Sequence, residues 1–137
     1  MASTMQVLVA TAEREVYRGE AEFLVAPGAA GELGILPKHS PLLSALTTGE
    51  LRITNGETVD EVFVSGGFME VQPDMVTVLS DSAERAHDID EASAIEAERK
   101  AKELLDMQKD DIDYAAAEAE LAMMTARLIW LRKKKQK

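Results

Sequence analysis

The chain changes its hydrophobic period once, near Ser82. Up to about Leu79, apolar and polar residues alternate in short runs: QVLVAT, AEFLVA, ELRIT, DEVFVS, FMEVQ and MVTVLS. A period of two puts successive side chains on opposite faces of a strand. The runs are rich in β-branched residues and are separated by turn signals. Asn55-Gly56 lies between two of them and predicts a hairpin, because both residues tolerate φ > 0. Pro73-Asp74 predicts a turn between FMEVQ and MVTVLS. Many short strands with no helix among them predict an antiparallel β-sandwich, or a flattened barrel, over residues 1–86.

Beyond Ser82 the period becomes helical, over residues 87–137. Asp88 or Asp90 is a candidate N-cap, and Ala94, Ala97, Ala101, Leu104 and Leu105 then recur at spacings of three and four. DMQKDDID interrupts the pattern. Asp111 or Asp113 is a candidate cap for a second helix with a stripe of Ile112, Ala115, Ala119, Ala122, Ala126 and Ile129. Two helices joined by a short polar link form an antiparallel hairpin. The expected fold is therefore a β-sandwich followed by a two-helix hairpin. A stripe of alanine buries little area, since a fully buried Leu or Ile contributes about 1.5–3 kcal/mol and a methyl far less. High helix propensity would keep such helices intact on separation. Composition leaves a detachable arm and a hairpin docked in one place equally open.

Charge and residue usage remove several classes of function. The formal net charge is −10, whereas phosphate contacts make a nucleic-acid binder basic. The charge is uneven: residues 1–86 hold thirteen acids and five bases, residues 87–137 twelve and ten. The terminal run RKKKQK reads as a solvated helix end whose cations suit the helix dipole. The absence of cysteine excludes disulfides, thiolate nucleophiles and Cys-based zinc sites. No apolar run reaches the roughly 20 residues of a membrane span, so no direct membrane insertion is expected. MASTMQVLVATAE has no basic start before its short apolar run, which argues against a signal peptide.

No catalytic or metal-binding pattern emerges. His39 and His87 are the only histidines, and neither has a partner at ligand spacing. Ser65 in VSGGF does not lie in a G-x-S-x-G nucleophile elbow. Gly66-Gly67 instead predicts a bulge or a tight bend within a strand. Walker A and G-x-G-x-x-G motifs are absent. Acid pairs such as Glu13/Glu15 and Asp110/Asp111 read as solvated faces. These residues suit a binding or mechanical part rather than an enzyme.

Two blocks carry a family resemblance. GELGILPKHSPLL, from Gly31 to Leu43, matches G-E-L-G-I-L/Y-P-G-H-x-P-L. VSGGFMEVQPDMVTVLSDSAERAHDIDEA follows S-G-G-x-x-E-V-x-P-x-x-V-T-V-L. Over Met5 to Leu128 the chain strongly resembles the epsilon subunit of the bacterial F-type ATP synthase. The resemblance implies a non-catalytic rotor subunit of a proton-translocating complex, peripheral on the cytoplasmic side of the bacterial plasma membrane. It implies the gamma subunit, the c-ring and the beta subunit as partners, with alpha a further candidate. The segment Gly31 to His39 would then be a loop facing the ring. Glu32 and His39 match family positions there, and Lys38 stands where the family usually has Gly. Leu33, Ile35 and Leu36 are alternatively plugs for the sandwich end.

By the same resemblance the hairpin is a brake on ATP hydrolysis, inactive when folded down and inhibitory when extended along gamma. Some members bind ATP through I/L-D-x-x-R-A, matched here by Ile89, Asp90, Ser93 and Ala94. Ser93 replaces the arginine and supplies neither its charge nor its fork of donors. Glu84, Lys100 and Arg127 fall at or near other ligand positions, while Met123 occupies one that is basic in a known binder. No cofactor is required, and ATP binding is expected to be weak or absent. The family's second helix usually carries bases that meet an acidic segment of beta. Ala115, Ala116 and Ala122 are uncharged here, so inhibition is expected to be weakened, unless Arg127 and the terminal basic run suffice. A stand-alone nucleotide-sensing module of the same fold is the alternative.

Overall fold

A computed structural model describes residues 3–106 and 114–135. The chain divides into two compact units, Met1–Arg85 and Ala86–Lys137.

The first unit contains eight strands: β1 (Met5–Ala10), β2 (Glu15–Ala21), β3 (Phe23–Gly28), β4 (Gly31–Ile35), β5 (Leu42–Asn55), β6 (Thr58–Val71), β7 (Met75–Leu79) and β8 (Ala83–Arg85). They pair in the order β2-β1-β7-β6-β5-β3-β4, and β8 also pairs with β6. This is a sandwich made from one continuous sheet folded over its own core. Every pair is antiparallel except β1 with β7, which run parallel. The core is aliphatic: Val7, Val9, Leu24, Ile35, Leu51, Ile53, Val62, Val64, Met69, Val71, Val76 and Val78 are all essentially fully buried.

Strands β5 and β6 form the long ribbon that turns from one layer to the other. Their hairpin closes at Asn55 and Thr58. Gly56, at φ +62, is its first central residue, and Glu57 keeps a negative φ, as in a type II′ turn. Inward-facing residues of β6 change parity along the strand, from Val62 and Val64 to Met69 and Val71. Gly66 and Gly67, at φ +85 and +111, lie between the two sets and rotate the backbone. β5 keeps one register with β6 on both sides of this point, so the feature is a bend without an inserted residue. The same register relates β6 to β7 on one side and to β8 on the other.

The segment read as a loop from Gly31 to His39 is half strand. Gly31–Ile35 is β4, paired with β3 from Gly28↔Gly31 to Leu24↔Ile35. Isolated β propensity is poor in GELGI, and β3 supplies the ladder that overrides it. Ile35 is buried in the core and Leu33 packs against it, but Leu36 is 59% exposed and plugs nothing.

The second unit holds α1 (Glu91–Asp106) and α2 (Tyr114–Lys135) after a 3₁₀ turn at Ala86–Asp88. Of the two candidate caps, Asp90 is the one used. Its carboxylate accepts the Ala92 N–H at 3.1 Å and its carbonyl the Ala94 N–H at 3.0 Å. The candidate caps Asp111 and Asp113, and Ile112, lie outside the described residues. The two helices meet where Thr125 donates its hydroxyl to Glu98 at 2.8 Å.

The stripe expected on α2 is out of phase. Ala115, Ala119, Ala122 and Ile129 are exposed and Ala126 is half-buried, whereas Ala117 and Leu128 are buried and Leu121, Met124 and Thr125 half-buried. YAAAEAELAMMTARLIW has apolar residues on several sides, so period alone does not fix which side packs. The larger Leu and Met side chains win, because they remove more area from water. The alanine seam holds for α1, where Ala94 is buried and Ala97 and Ala101 are half-buried.

Candidate functional site

Among the described residues, no group of three or more His, Asp or Glu side chains is placed to hold a metal ion. Ser65 Oγ lies 2.6 Å from Ser82 Oγ, a hydroxyl pair at the bend rather than an activated nucleophile. No described helix is long and apolar enough to cross a membrane. Among the described residues, the features that stand out are surfaces.

The first surface is one end of the sandwich. Lys38 donates its N–H to the Pro73 carbonyl at 2.7 Å, joining the turn after β4 to the β6–β7 turn. The β3–β4 hairpin is tied nearby, through the Ala29 N–H and the Ala45 carbonyl at 2.9 Å. Leu42 pairs with Val71, so both ties lie toward the start of β5. Lys38 and His39 lie in the turn at this end, and Glu32 is on β4. Glu32 lies 3.8 Å from Arg52. His39 donates its backbone N–H to Leu36 at 3.2 Å and Nδ1–H to the Ser40 carbonyl at 2.7 Å. Lys38 is exposed at φ +67 and is the only described non-glycine residue with a positive φ.

A second surface was not anticipated. On the outer face of the sheet, Ala45, Phe68, Leu79 and Ala10 stand opposite one another across β5, β6, β7 and β1. Phe68 is 57% and Leu79 58% exposed, and Leu43 two residues before Ala45 is 69% exposed. A groove of about 380 Å³ runs beside them, lined in part by Thr11, Ala12, Gly67 and Asp81. The signal was present in the sequence: once Met69 and Val78 point inward, Phe68 and Leu79 are apolar where alternation calls for polar residues.

The residues matched to nucleotide binding fall in both units. Glu84 is half-buried on β8 of the first. In the second, Asp90 caps α1, and its other carboxylate oxygen accepts the Ser93 hydroxyl at 3.0 Å. Both oxygens are thus used by the helix start itself. Ala94 is buried, Lys100 exposed, and Met123 and Arg127 half-buried on α2. Lys100 lines a cleft of about 280 Å³ between the helices with Ala97, Ala101, Leu104, Ala117, Glu120 and Met124. On the exposed side of α1, Arg99 bridges Glu96 and Glu103, and its hydrogen bond holds the Glu96 carboxyl below the usual range. Ala115, Ala116 and Ala122 are solvent-facing.

A sandwich with an apolar outer face and a hydrogen-bonded turn, followed by a helix pair, offers surfaces of the kind a docking protein uses. Residues 4–86 match the profile described as the ATP synthase delta/epsilon chain β-sandwich domain, and residues 87–129 the long α-helix domain of the same chain. The ATP synthase epsilon chain of Acidithiobacillus ferridurans is 55% identical over 128 residues, 93% of this chain and 91% of that one. That of Janthinobacterium sp. (strain Marseille) is 51% identical over 139 residues, 100% of this chain and 99% of that one. The fold resembles a chain of the Euglena gracilis mitochondrial ATP synthase, solved as OSCP/F1/c-ring, with TM-score 0.74, 18% identity, and 93% of this chain and 81% of that one covered. A chain in the central stalk/c-ring structure of the Tetrahymena thermophila enzyme gives TM-score 0.54 at 16% identity, covering 96% of each. The chain belongs to the delta/epsilon family of ATP synthase chains, as a non-catalytic epsilon subunit of the F-type enzyme.

Proposed function

We propose that this subunit couples the gamma subunit to the c-ring at the foot of the central stalk, and that its hairpin is a weakened brake on ATP hydrolysis. The observation that carries the coupling role is the bonded turn at Lys38, with its rigid link to Pro73. A contact that transmits torque needs such a fixed backbone. The turn end meets the ring through Glu32, Lys38 and His39. The apolar outer face around Leu43, Phe68 and Leu79 takes gamma, since monomers rarely leave contiguous apolar surface uncovered. Membrane association on the cytoplasmic side of the bacterial plasma membrane then follows from these partners.

The hairpin reading rests on its helices. In the extended state α2 would meet the beta subunit, with alpha alongside. Ala115, Ala116 and Ala122 offer that partner no charge. Reversing a 1:99 population takes about 5.5 kcal/mol of differential binding, so each missing contact weighs on the inhibited state. ATP as a regulatory ligand binds weakly or not at all, because Ser93 replaces a guanidinium and already occupies Asp90.

The test is ATP hydrolysis by an epsilon-depleted catalytic complex, with the chain added back whole or ending at Ala86. Binding by both forms, with inhibition absent or slight for the whole chain, is the expected result. Strong inhibition by the whole chain sinks the weakened-brake reading, and failure of either form to bind sinks the coupling role.

A further inference from the structure

We propose that Asn55-Gly56, at the tip of the β5–β6 hairpin, is a site of spontaneous covalent modification, where the Asn55 side chain loses ammonia in the folded protein and becomes aspartate or isoaspartate.

The reaction needs an asparagine whose side chain the next backbone nitrogen can reach. Asn55 is the only asparagine in the chain, and glycine follows it. A following residue without Cβ leaves that approach unhindered. A Cβ built on Gly56 would meet nothing within 4 Å, and both residues are exposed, so the tip stands open to water. Among the described residues, neither the Asn55 side-chain amide nor the Gly56 N–H has a hydrogen-bond partner. The attacking and the leaving nitrogen are both unencumbered.

The Gly56 nitrogen gives its proton to hydroxide and attacks Cγ of Asn55. The new N–Cγ bond closes a succinimide ring. The Cγ–Nδ2 bond breaks, and ammonia leaves with a proton from water, which restores the hydroxide. Water then opens the ring. Attack at Cγ gives aspartate, and attack at the main-chain carbonyl carbon gives isoaspartate. Nothing is oxidised or reduced.

The hairpin sets the rate. Asn55 is extended and paired with Thr58, and its ψ must rotate before the Gly56 nitrogen faces Cγ. Only this closing pair has to open, and such fraying costs little free energy. A reaction that required the whole sandwich to unfold would slow by more than about a thousand-fold. Either product adds a negative charge to a unit that already holds thirteen acids and five bases. Isoaspartate also inserts an extra carbon into the backbone where β5 and β6 close, so it marks an aged copy of the chain.

The test incubates the full chain in mildly alkaline buffer, folded and in urea. Peptide mass spectrometry follows the conversion of amide to acid at residue 55. An isoaspartyl methyltransferase with labelled S-adenosylmethionine reports the isoaspartate on the same peptide. The folded chain should convert within about 100-fold of the rate of the unfolded chain, as fraying of one pair allows. The peptide should take up methyl label, and that of Asn55→Ser should take up none. A folded rate slower than this, an acid product without methyl label, or equal labelling of the Asn55→Ser peptide overturns the proposal.

Discussion

A Cβ built on Gly67 would lie 2.2 Å from the carbonyl oxygen of Leu79 and 2.6 Å from the Ser80 Cα. Both neighbours are backbone, so neither can swing aside. Gly67 also holds φ +111, a conformation other residues rarely adopt. Gly67→Ala is expected to destabilise the sandwich by about 3 kcal/mol or more, through strain and clash together. Urea denaturation of the full chain measures it. A loss below 1 kcal/mol would mean that the bend relaxes easily.

Lys38→Gly should move stability the other way. The left-handed conformation costs a side-chain-bearing residue roughly 1–2 kcal/mol, and glycine gives back about 0.5–1 in unfolded-state entropy. A net gain of about 0.5–1 kcal/mol is expected in the same denaturation experiment. The variant should be more stable in isolation. An unchanged midpoint would show that the turn carries no strain.

Tyr17 gives the sandwich an alkaline limit. Partial burial raises the phenol above its ordinary value of 10.0, and the Asp60 carboxylate adds to this, while Arg85 opposes it. Arg85 lies 2.9 Å from Asp60 and 5.6 Å from the Tyr17 ring centroid. The folded state therefore holds the phenolic proton more tightly than the unfolded chain. That contribution is complete below pH 10 and disappears as pH rises through the raised value. Tyr17→Phe should flatten the decline in melting temperature above pH 10. A parallel decline in both proteins would assign it to other groups.

At the start of α1, Ser93→Arg should raise ATP affinity. The substitution releases the Asp90 oxygen that Ser93 now occupies and adds a guanidinium for phosphate. Calorimetry should find no micromolar binding in the parent chain and a measurable affinity in the variant. Micromolar binding by the parent would show that Ser93 is no obstacle.

Lysine at Ala115, Ala116 and Ala122 should leave stability within about 0.5 kcal/mol, because all three positions face solvent. If charge is what the brake lacks, the triple variant should inhibit hydrolysis by the catalytic complex several-fold more strongly than the parent, and less so at high salt. No change in inhibition would end the charge explanation.

Legibility followed local pattern. β1, β6 and β7 were readable because MQVLVA, the valine-rich run before Gly66, and MVTVL carry their own alternation. β2, β4 and β8 were not, since EVYRGEA, GELGI and AER are strands through their neighbours' hydrogen bonds. Gly49 hid the continuity of β5, and the parallel β1–β7 pair has no local signature at all. In the hairpin Asp90 was identifiable as a cap, but the packed side of α2 was not, because small apolar residues surround it. Glu32, Lys38 and His39 were singled out by their motif alone. What lay beyond the sequence was the left-handed backbone at Lys38 and the shared outer face of Phe68 and Leu79, which depends on strands brought together from distant parts of the chain.

The parallel pairing of Met5–Ala10 with Met75–Leu79 also sets an order of events during synthesis. The first strand made must wait for the seventh before its inner edge is satisfied. Only the ladder with β2 is available to it in the meantime. A nascent chain arrested before Met75 would carry an open strand edge and unburied valines, a substrate for holdase chaperones. Once Arg85 has cleared the ribosome, the whole sandwich core can close, Val76 and Val78 included. The first unit is therefore expected to become protease-resistant in a single late step, when β7 and β8 have emerged.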